Sequence, residues 1–292
     1  MAGRRWAGTT FGNGWMHNAL ISVLRVVPVC VLYLFADILV VPVCIVLNDS
    51  RKTAWRFYRD ILGYGCLRAA AATYRNHCLF AQVVIDRFAM YAGKSFKVQV
   101  EGADIYQALA GRSEGFLQLS SHIGNYEIAG YSLVSERKVI NAVVYAFEKE
   151  SVMANRDSMF SKTNIRMIAL REDMSHLFEI DAALSGGDIV SFPTDRFLDG
   201  AKVVERDFFG RKAKFPQGPF SVAAMRGADV VAVNTMKEGL RRYRIYVTPL
   251  SYDKEAPRRE QVRQLSEAYV AELEKRVRQY PTQWYNFFDF WA

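Results

Sequence analysis

Apolar residues crowd the first part of the chain and later settle into short, regular runs. From Ala19 to Leu47 nearly every position is apolar, interrupted by Arg25, Pro28, Asp37 and Pro42. About 20 such residues cross a bilayer. The stretch is therefore long enough for a membrane anchor, spanning or dipping into one leaflet; a helix buried in a protein core is the competing reading. It is too long and too far from the first residue for a simple signal peptide. Arg4 and Arg5 precede it, and Arg51, Lys52, Arg56 and Arg59 follow. The larger basic cluster comes after the stretch, which favours a main domain on the cytoplasmic side.

Residues 51–93 keep helical spacing, through Trp55, Tyr58, Ile61, Leu62, Leu67 and Tyr74 and then Phe80, Val83, Val84 and Phe88. Basic residues interleave with these aromatics, so the face can lie on a membrane or pack on a core with its basic side in water. At Phe96 the period changes to two. Phe96-Lys-Val-Gln-Val-Glu101 alternates as a strand does. Further β-rich runs follow at 116–121, 139–145, 165–170, 188–192, 229–234 and 243–248. Helical patterns at 125–134, 173–184 and 220–226 lie between them, and a last helix is expected over 258–280. Strand and helix in alternation predict an α/β sheet. The expected division is an anchor over 1–50, a helical membrane-proximal region over 51–95 and an α/β catalytic domain over 96–292.

Half the 292 residues are hydrophobic, which excludes wholesale disorder. The net charge of +8 suits nucleic acid, anionic headgroups or an acidic carrier protein, and does not choose among them. No zinc finger, helix-turn-helix or glycine-rich RNA motif supports nucleic acid. Cys30, Cys44, Cys66 and Cys78 form no Cys-x-x-Cys pair and are read as buried free thiols. His17, His77 and His176 have no ligand partner at metal spacing, so no catalytic metal and no cofactor are expected.

The chemistry concentrates in Gly115-Phe-Leu-Gln-Leu-Ser-Ser-His-Ile-Gly-Asn-Tyr-Glu127. An alternating strand ends at Ser121, then His122 arrives, a Gly-Asn pair turns the chain, and a helix opens. Ligands in α/β sheets gather beyond the carboxyl ends of strands. His122 thus stands where a general base would act, its unperturbed pKa being nearest neutrality. Glu127, in the first helical turn, can fold back and hold the other ring nitrogen. An unrelated loop histidine beside an ordinary helix-start glutamate is the bland alternative.

His122-Ile-Gly-Asn-Tyr-Glu127 resembles the His-x4-Asp/Glu motif of the lysophospholipid acyltransferase superfamily, in the branch containing the lipid A late acyltransferases. The resemblance extends, in order, to Phe192-Pro-Thr-Asp-Arg196, Phe208-Phe-Gly-Arg-Lys-Ala-Lys-Phe-Pro-Gln-Gly218, Arg226-Gly-Ala228 and Pro281-Thr-Gln-Trp-Tyr285. Lipid A enzymes usually carry Asp-Gln where this chain has Asp195-Arg196. The Asp-Arg form with Phe-Pro-x-Gly-Pro-Phe, and the run Arg75-Asn-His to Asp86-Arg-Phe, are similar to a further branch that accompanies aryl polyene pigment or unusual lipid pathways. The resemblance implies an acyltransferase-type mixed sheet flanked by helices, with an N-terminal membrane-anchoring helix. It implies transfer of an acyl chain from a thioester, on acyl carrier protein or CoA, to a hydroxyl or amine of a lipid-type acceptor at the bacterial inner membrane. His122 is then the base and Glu127 its partner, and Asn125, Arg166, Asp195, Arg196 and Gly218 bind substrate.

Several of these residues keep a second reading. Arg196 can bind a phosphate through its planar fork or pair with Asp195 or Asp199. Backbone N–H groups at Gly218 can hold an anion, or Gly-Pro simply opens a helix. Lys202, Arg206, Arg211, Lys212 and Lys214 can dock an acidic carrier or headgroups, or form a solvated charged loop. The aromatic tail Trp284-Tyr-Asn-Phe-Phe-Asp-Phe-Trp291 suits a membrane interface or a core lid. Two rival functions remain: a serine hydrolase using Ser120 or Ser121, which lacks the Gly-x-Ser-x-Gly elbow, and a degenerate protein that only binds lipid.

Overall fold

The computed structural model describes residues 14–133, 137–145, 164–171, 173–197, 200–287 and 290–291. Arg4, Arg5 and Asp199 lie outside them.

The apolar stretch forms three helical pieces. Helix α1 covers Gly14–Val26, Pro28 breaks the chain, and α2 (Val29–Phe35) runs through a wide π turn at Ala36–Val40 into α3 (Val41–Leu47). Residues Val29–Leu47 have a mean hydropathy of 2.7 and are only 22% buried. A core helix would be mostly covered, so the buried-core reading of this stretch fails. Val31, Leu34, Ile38, Val43 and Val46 are exposed, while Val29, Tyr33 and Ala36 pack with Leu24 of α1 and with Ile85, Phe88 and Ala89.

Residues 51–93 are helical with one break. Helix α4 (Ser50–Arg56) continues in a π turn to Ile61, and Gly63, at φ +67, ends it. The long helix α5 (Cys66–Tyr91) follows. Ala54, Phe57, Tyr58, Ala69 and Ala72 join the main core. Most of this region's apolar face is thus packed on protein, with Leu67, Tyr74 and Phe80 left exposed.

The α/β sheet expected from the alternation is present, and it is mixed, as the resemblance implies. Strand β1 (Lys97–Glu101) leads through α6 (Ala103–Ala110) to β2 (Phe116–Ser120) and α7 (Tyr126–Ser132). Strands β3 (Ile140–Tyr145) and β4 (Ile165–Leu170) follow, then α8 (His176–Ser185) and β5 (Ile189–Pro193). A hairpin of β6 (Val203–Phe208) and β7 (Arg211–Pro216) stands apart as its own two-stranded sheet. The chain ends its fold with α9 (Gly218–Arg226), β8 (Asp229–Gly239), β9 (Arg242–Pro249) and α10 (Arg258–Gln279). The seven-stranded order is β1-β9-β8-β2-β5-β3-β4. Every neighbouring pair is parallel except β8 with β9.

Strand β2 is central and every residue of it is buried. Its alternating polar positions do not face water: Gln118 donates to Ser191 Oγ and Ser120 to the Phe192 carbonyl, both at 3.3 Å, so both side chains find partners inside the protein. Arg206, Arg211, Lys212 and Lys214 of the basic cluster lie on the β6–β7 hairpin, whose Ala213 and Phe215 are buried while Lys212 and Lys214 are exposed. The aromatic tail closes the core. Trp284, Phe290 and Trp291 pack among Phe57, Phe208 and Phe215, with Phe57 and Trp284 ring centres 5.0 Å apart. Burial of such rings is worth more here than an interfacial position.

Candidate active site

The sheet register itself builds the site. Strands β2 and β5 are adjacent and parallel, with Ser120 opposite Pro193. The ladder continues one step, Thr194 N–H donating to the Ser120 carbonyl at 2.8 Å. Two residues beyond the paired ends, His122 and Asp195 face each other. His122 Nδ1 lies 2.7 Å from Asp195 Oδ1, and the His122 backbone N–H donates to Asp195 Oδ2 at 2.8 Å. One carboxylate therefore holds both the ring and the main chain of the histidine. A carboxylate acceptor requires the proton on Nδ1.

Asp195 is buried and the His122 side chain is 18% exposed. Burial pushes the Asp195 carboxyl upward. The charge and hydrogen bonds of His122, with the charge of Arg196, outweigh it and hold the group below the ordinary carboxylate value.

The carboxylate seen on Nδ1 is thus Asp195, not Glu127 as the five-residue spacing suggests. Both Glu127 oxygens meet α5: Arg87 Nη1 donates to Oε1 at 3.1 Å and the Tyr91 hydroxyl to Oε2 at 3.1 Å. Glu127 starts α7, and helix geometry turns it toward α5. The Tyr126 ring stands edge-on to the imidazole, at 5.7 Å between centres.

Gly124 makes the turn possible. Its φ is +61, and a Cβ there would lie 1.9 Å from the Thr235 carbonyl oxygen. Only glycine fits. Gly124 N–H donates to the Gln283 carbonyl and Asn125 N–H to the Thr235 carbonyl, both at 2.8 Å. The His122 carbonyl accepts Tyr285 N–H at 3.0 Å. The loop is therefore sewn to β8 on one side and to the tail segment on the other.

The remaining expected site residues divide. Asn125 is buried directly after the turn. Arg196 donates from Nη2 to the Tyr285 carbonyl at 2.7 Å, which ties the second motif block to the last. Gly218 opens α9 with open space where a Cβ would go, so local packing does not demand glycine there. Arg166 is exposed near the amino end of edge strand β4, opposite Asn141. Strands β5 and β3 separate it from β2, and the site lies beyond the carboxyl ends, so the structure does not bring Arg166 to His122.

Ser120 donates to the Phe192 carbonyl at 3.3 Å and Ser121 to Asn234 Oδ1 at 3.0 Å, both buried. Both hydroxyls are aimed into the protein, which removes the geometric basis for a serine hydrolase. Among the described residues no three His, Cys, Asp or Glu side chains converge as a metal site would. Contrary to expectation, Cys30, Cys44 and Cys66 are exposed, because they lie on the uncovered sides of α2, α3 and α5; Cys78 is buried.

A histidine at a strand end, held by a buried carboxylate, is an arrangement that can serve as a general base. The bacterial lipid A biosynthesis acyltransferase family model matches residues 85–292, and the chain belongs to that family. It is an acyltransferase of lipid biosynthesis. No curated protein matches the chain. Among solved structures it is similar to the 1-acyl-sn-glycerophosphate acyltransferase PlsC from Thermotoga maritima. That match has 15% identity and a TM-score of 0.39, over 93% of this chain and 97% of that one.

Proposed function

We propose that the protein transfers a fatty acyl chain from a thioester to a hydroxyl or amine of a lipid-type acceptor, with His122 as general base and Asp195 as the group that orients it. The observation that carries this is the 2.7 Å contact between His122 Nδ1 and Asp195 at the paired ends of β2 and β5. With the proton on Nδ1, Nε2 is the nitrogen that takes the acceptor's proton as the acceptor oxygen or nitrogen attacks the thioester carbon. The carbon–sulfur bond then breaks, and the thiolate leaves with that proton. The Asp195 charge stabilises the imidazolium formed on the way. No covalent acyl-enzyme is needed. Glu127, held by Arg87 and Tyr91, shapes the acceptor side beside Tyr126, and Arg196 and Asn125 line the same end of the sheet.

The preferred donor is an acyl carrier protein, which is acidic. Arg206, Arg258, Arg259 and Arg263 line a groove of about 1020 Å³ between the hairpin, α9 and α10. None of the residues lining that groove belongs to the His122 loop, which suits a docking surface for a carrier better than a reaction chamber. The site faces the cytoplasmic side of the bacterial inner membrane. The apolar helix over Val29–Leu47 packs alongside α5: Gln82 Nε2 donates to Asp37 Oδ2 at 2.9 Å and Tyr33 bonds Asp86. About 28 Å of helix is therefore applied to the body along its length, with an apolar face outward. That arrangement favours lying in one leaflet over crossing both.

The test uses the full chain in vesicles of phosphatidylethanolamine and phosphatidylglycerol, supplied in parallel with myristoyl-acyl carrier protein and myristoyl-CoA. A bacterial lipid extract serves as acceptor, and products are read by mass spectrometry. The expected product is one lipid class heavier by one acyl chain, lost in His122→Ala while vesicle binding persists. Full transfer by His122→Ala would overturn the catalytic assignment.

A further inference from the structure

A second polar cluster lies away from the reacting atoms and wholly inside the protein. Asp86 of α5 is fully buried and pairs with Lys237 of β8, whose side chain is 4% exposed. The hydroxyls of Tyr33, from α2, and Tyr243, from β9, both donate to the Asp86 carboxylate. Lys237 Nζ also donates to the Tyr33 hydroxyl at 2.9 Å and stands over the Tyr33 and Tyr243 rings, 4.6 and 5.0 Å from their centres. Burying two charges costs several kcal/mol per ion before pairing, and apolar residues of similar volume would hold four elements together as well. The acyl-transfer chemistry makes no use of these charges.

Their neighbours give the cluster a direction. The Lys237 main chain is clamped by the Gln283 side chain, its N–H donating to Oε1 at 2.9 Å and its carbonyl accepting Nε2 at 2.8 Å. The Gln283 carbonyl in turn accepts Gly124 N–H, two residues from His122. A second path is shorter in sequence: the residue after Asp86 is Arg87, which bonds Glu127 at the far end of the same loop. Both ends of the His122–Glu127 loop are thus referred to one ion pair. The apolar helix reaches that pair through Tyr33.

We propose that Asp86 and Lys237 are positioning residues for acyl transfer, which set the His122–Glu127 loop through Gln283 and Arg87, and that Tyr33 makes this setting depend on the docked apolar helix. The inference rests on His122 being the base. On the proposed reading the lipid-type acceptor comes from the membrane, so a loop set by the membrane-facing helix would act only when that helix is seated.

Asp86→Asn alone leaves Lys237 buried without its counter-charge and can fail to fold, so the informative variant is the double change Asp86→Asn with Lys237→Met, beside Tyr33→Phe. Three quantities are read on the full chain in the same vesicles. These are thermal midpoint, deuterium exchange of the peptide carrying Gly124 and Asn125, and carbethoxylation of His122 by diethyl pyrocarbonate, with His176 as internal reference. The double variant is expected to keep its midpoint within a few degrees. The loop amides should exchange about 10-fold faster, as for opening made easier by one decade, and the modification rate of His122 relative to His176 should change. The kcat for myristoyl-acyl carrier protein should fall about 10- to 100-fold with little change in KM, the mark of a lost transition-state setting. Tyr33→Phe should move the same quantities less. Wild-type exchange and kcat in the double variant would overturn the proposal while leaving His122 as base. Undiminished transfer by His122→Ala would instead remove the reading beneath it.

Discussion

Replacing Asp195 by Asn keeps size and shape but not the acceptor pattern. Two donors converge on the carboxylate, the His122 ring N–H at 2.7 Å and the His122 backbone N–H at 2.8 Å. Asn brings one acceptor oxygen and one NH2. If the oxygen keeps the backbone, the amide donates to Nδ1, the ring proton moves to Nε2, and the base is spent. If it keeps the ring, the backbone N–H faces another donor. In hydrolytic triads the equivalent tautomer error costs on the order of 10,000-fold in kcat. Here a loss of about 1,000- to 10,000-fold is expected, or about 4 to 5.5 kcal/mol at about 1.36 kcal/mol per decade. Stability should change far less. One mismatched donor costs about 1 to 3 kcal/mol, and removing a buried charge offsets part of it. Glu127→Gln supplies the contrast. Its one oxygen can keep Arg87 as a neutral and weaker acceptor, while its NH2 donates to the Tyr91 hydroxyl, which turns from donor to acceptor. A charged hydrogen bond worth about 1.5 to 3 kcal/mol translates to about 10- to 100-fold. The assay is acyl transfer from myristoyl-acyl carrier protein to extracted lipid under saturating donor, with circular dichroism to confirm folding. Glu127→Gln falling below Asp195→Asn would refute the assignment of Asp195 as the orienting acid.

Further outcomes follow from the same geometry. The Asp195 carboxyl titrates lower folded than unfolded, so its stabilising effect is complete above the unfolded value of about 3.9 and fades as pH falls through the folded value; thermal midpoints measured from neutral pH downward should show Asp195→Asn losing part of the wild type's acid-dependent slope. Gly124→Ala must fit a Cβ against the Thr235 carbonyl at positive φ and should destabilise by on the order of 3 kcal/mol, read by urea denaturation. Replacing Arg51, Lys52 and Arg56 by neutral Gln should weaken binding to anionic vesicles at low salt by about 1 kcal/mol per residue, read by flotation, and leave binding to neutral vesicles nearly unchanged.

Much of the fold can be read from the hydrophobic pattern, because strands buried in a sheet and helices that cover it carry different periods. The seven sheet strands and the helices at α7, α8, α9 and α10 all appear near their expected places. The hairpin is missed because Val203-Val-Glu-Arg-Asp-Phe208 reads as a charged loop, although Lys212-Ala-Lys-Phe215 does alternate. His122 is legible because a strand visibly stops before it. Its pairing with Asp195 is not, since that depends on β2 lying beside β5, and strand order is written in no local pattern. Glu127 is closer in sequence and misled for that reason. The Asp86–Lys237 pair did leave a trace: a single acid among Ile85, Phe88 and Ala89, and a single lysine after the apolar run of β8. Lone charges on otherwise apolar faces point to one another.

The seam between Gly124, His122 and the Gln283–Tyr285 segment has a bearing on biogenesis. The histidine loop is translated early and its backing arrives late, after all seven strands of the main sheet. On the proposed roles of His122 and of the apolar helix, a nascent chain can reach the membrane while the base still lacks the strap that sets its loop. If His122 is the base, acyl transfer waits until synthesis has passed Tyr285, and truncated products left by interrupted translation would be inert.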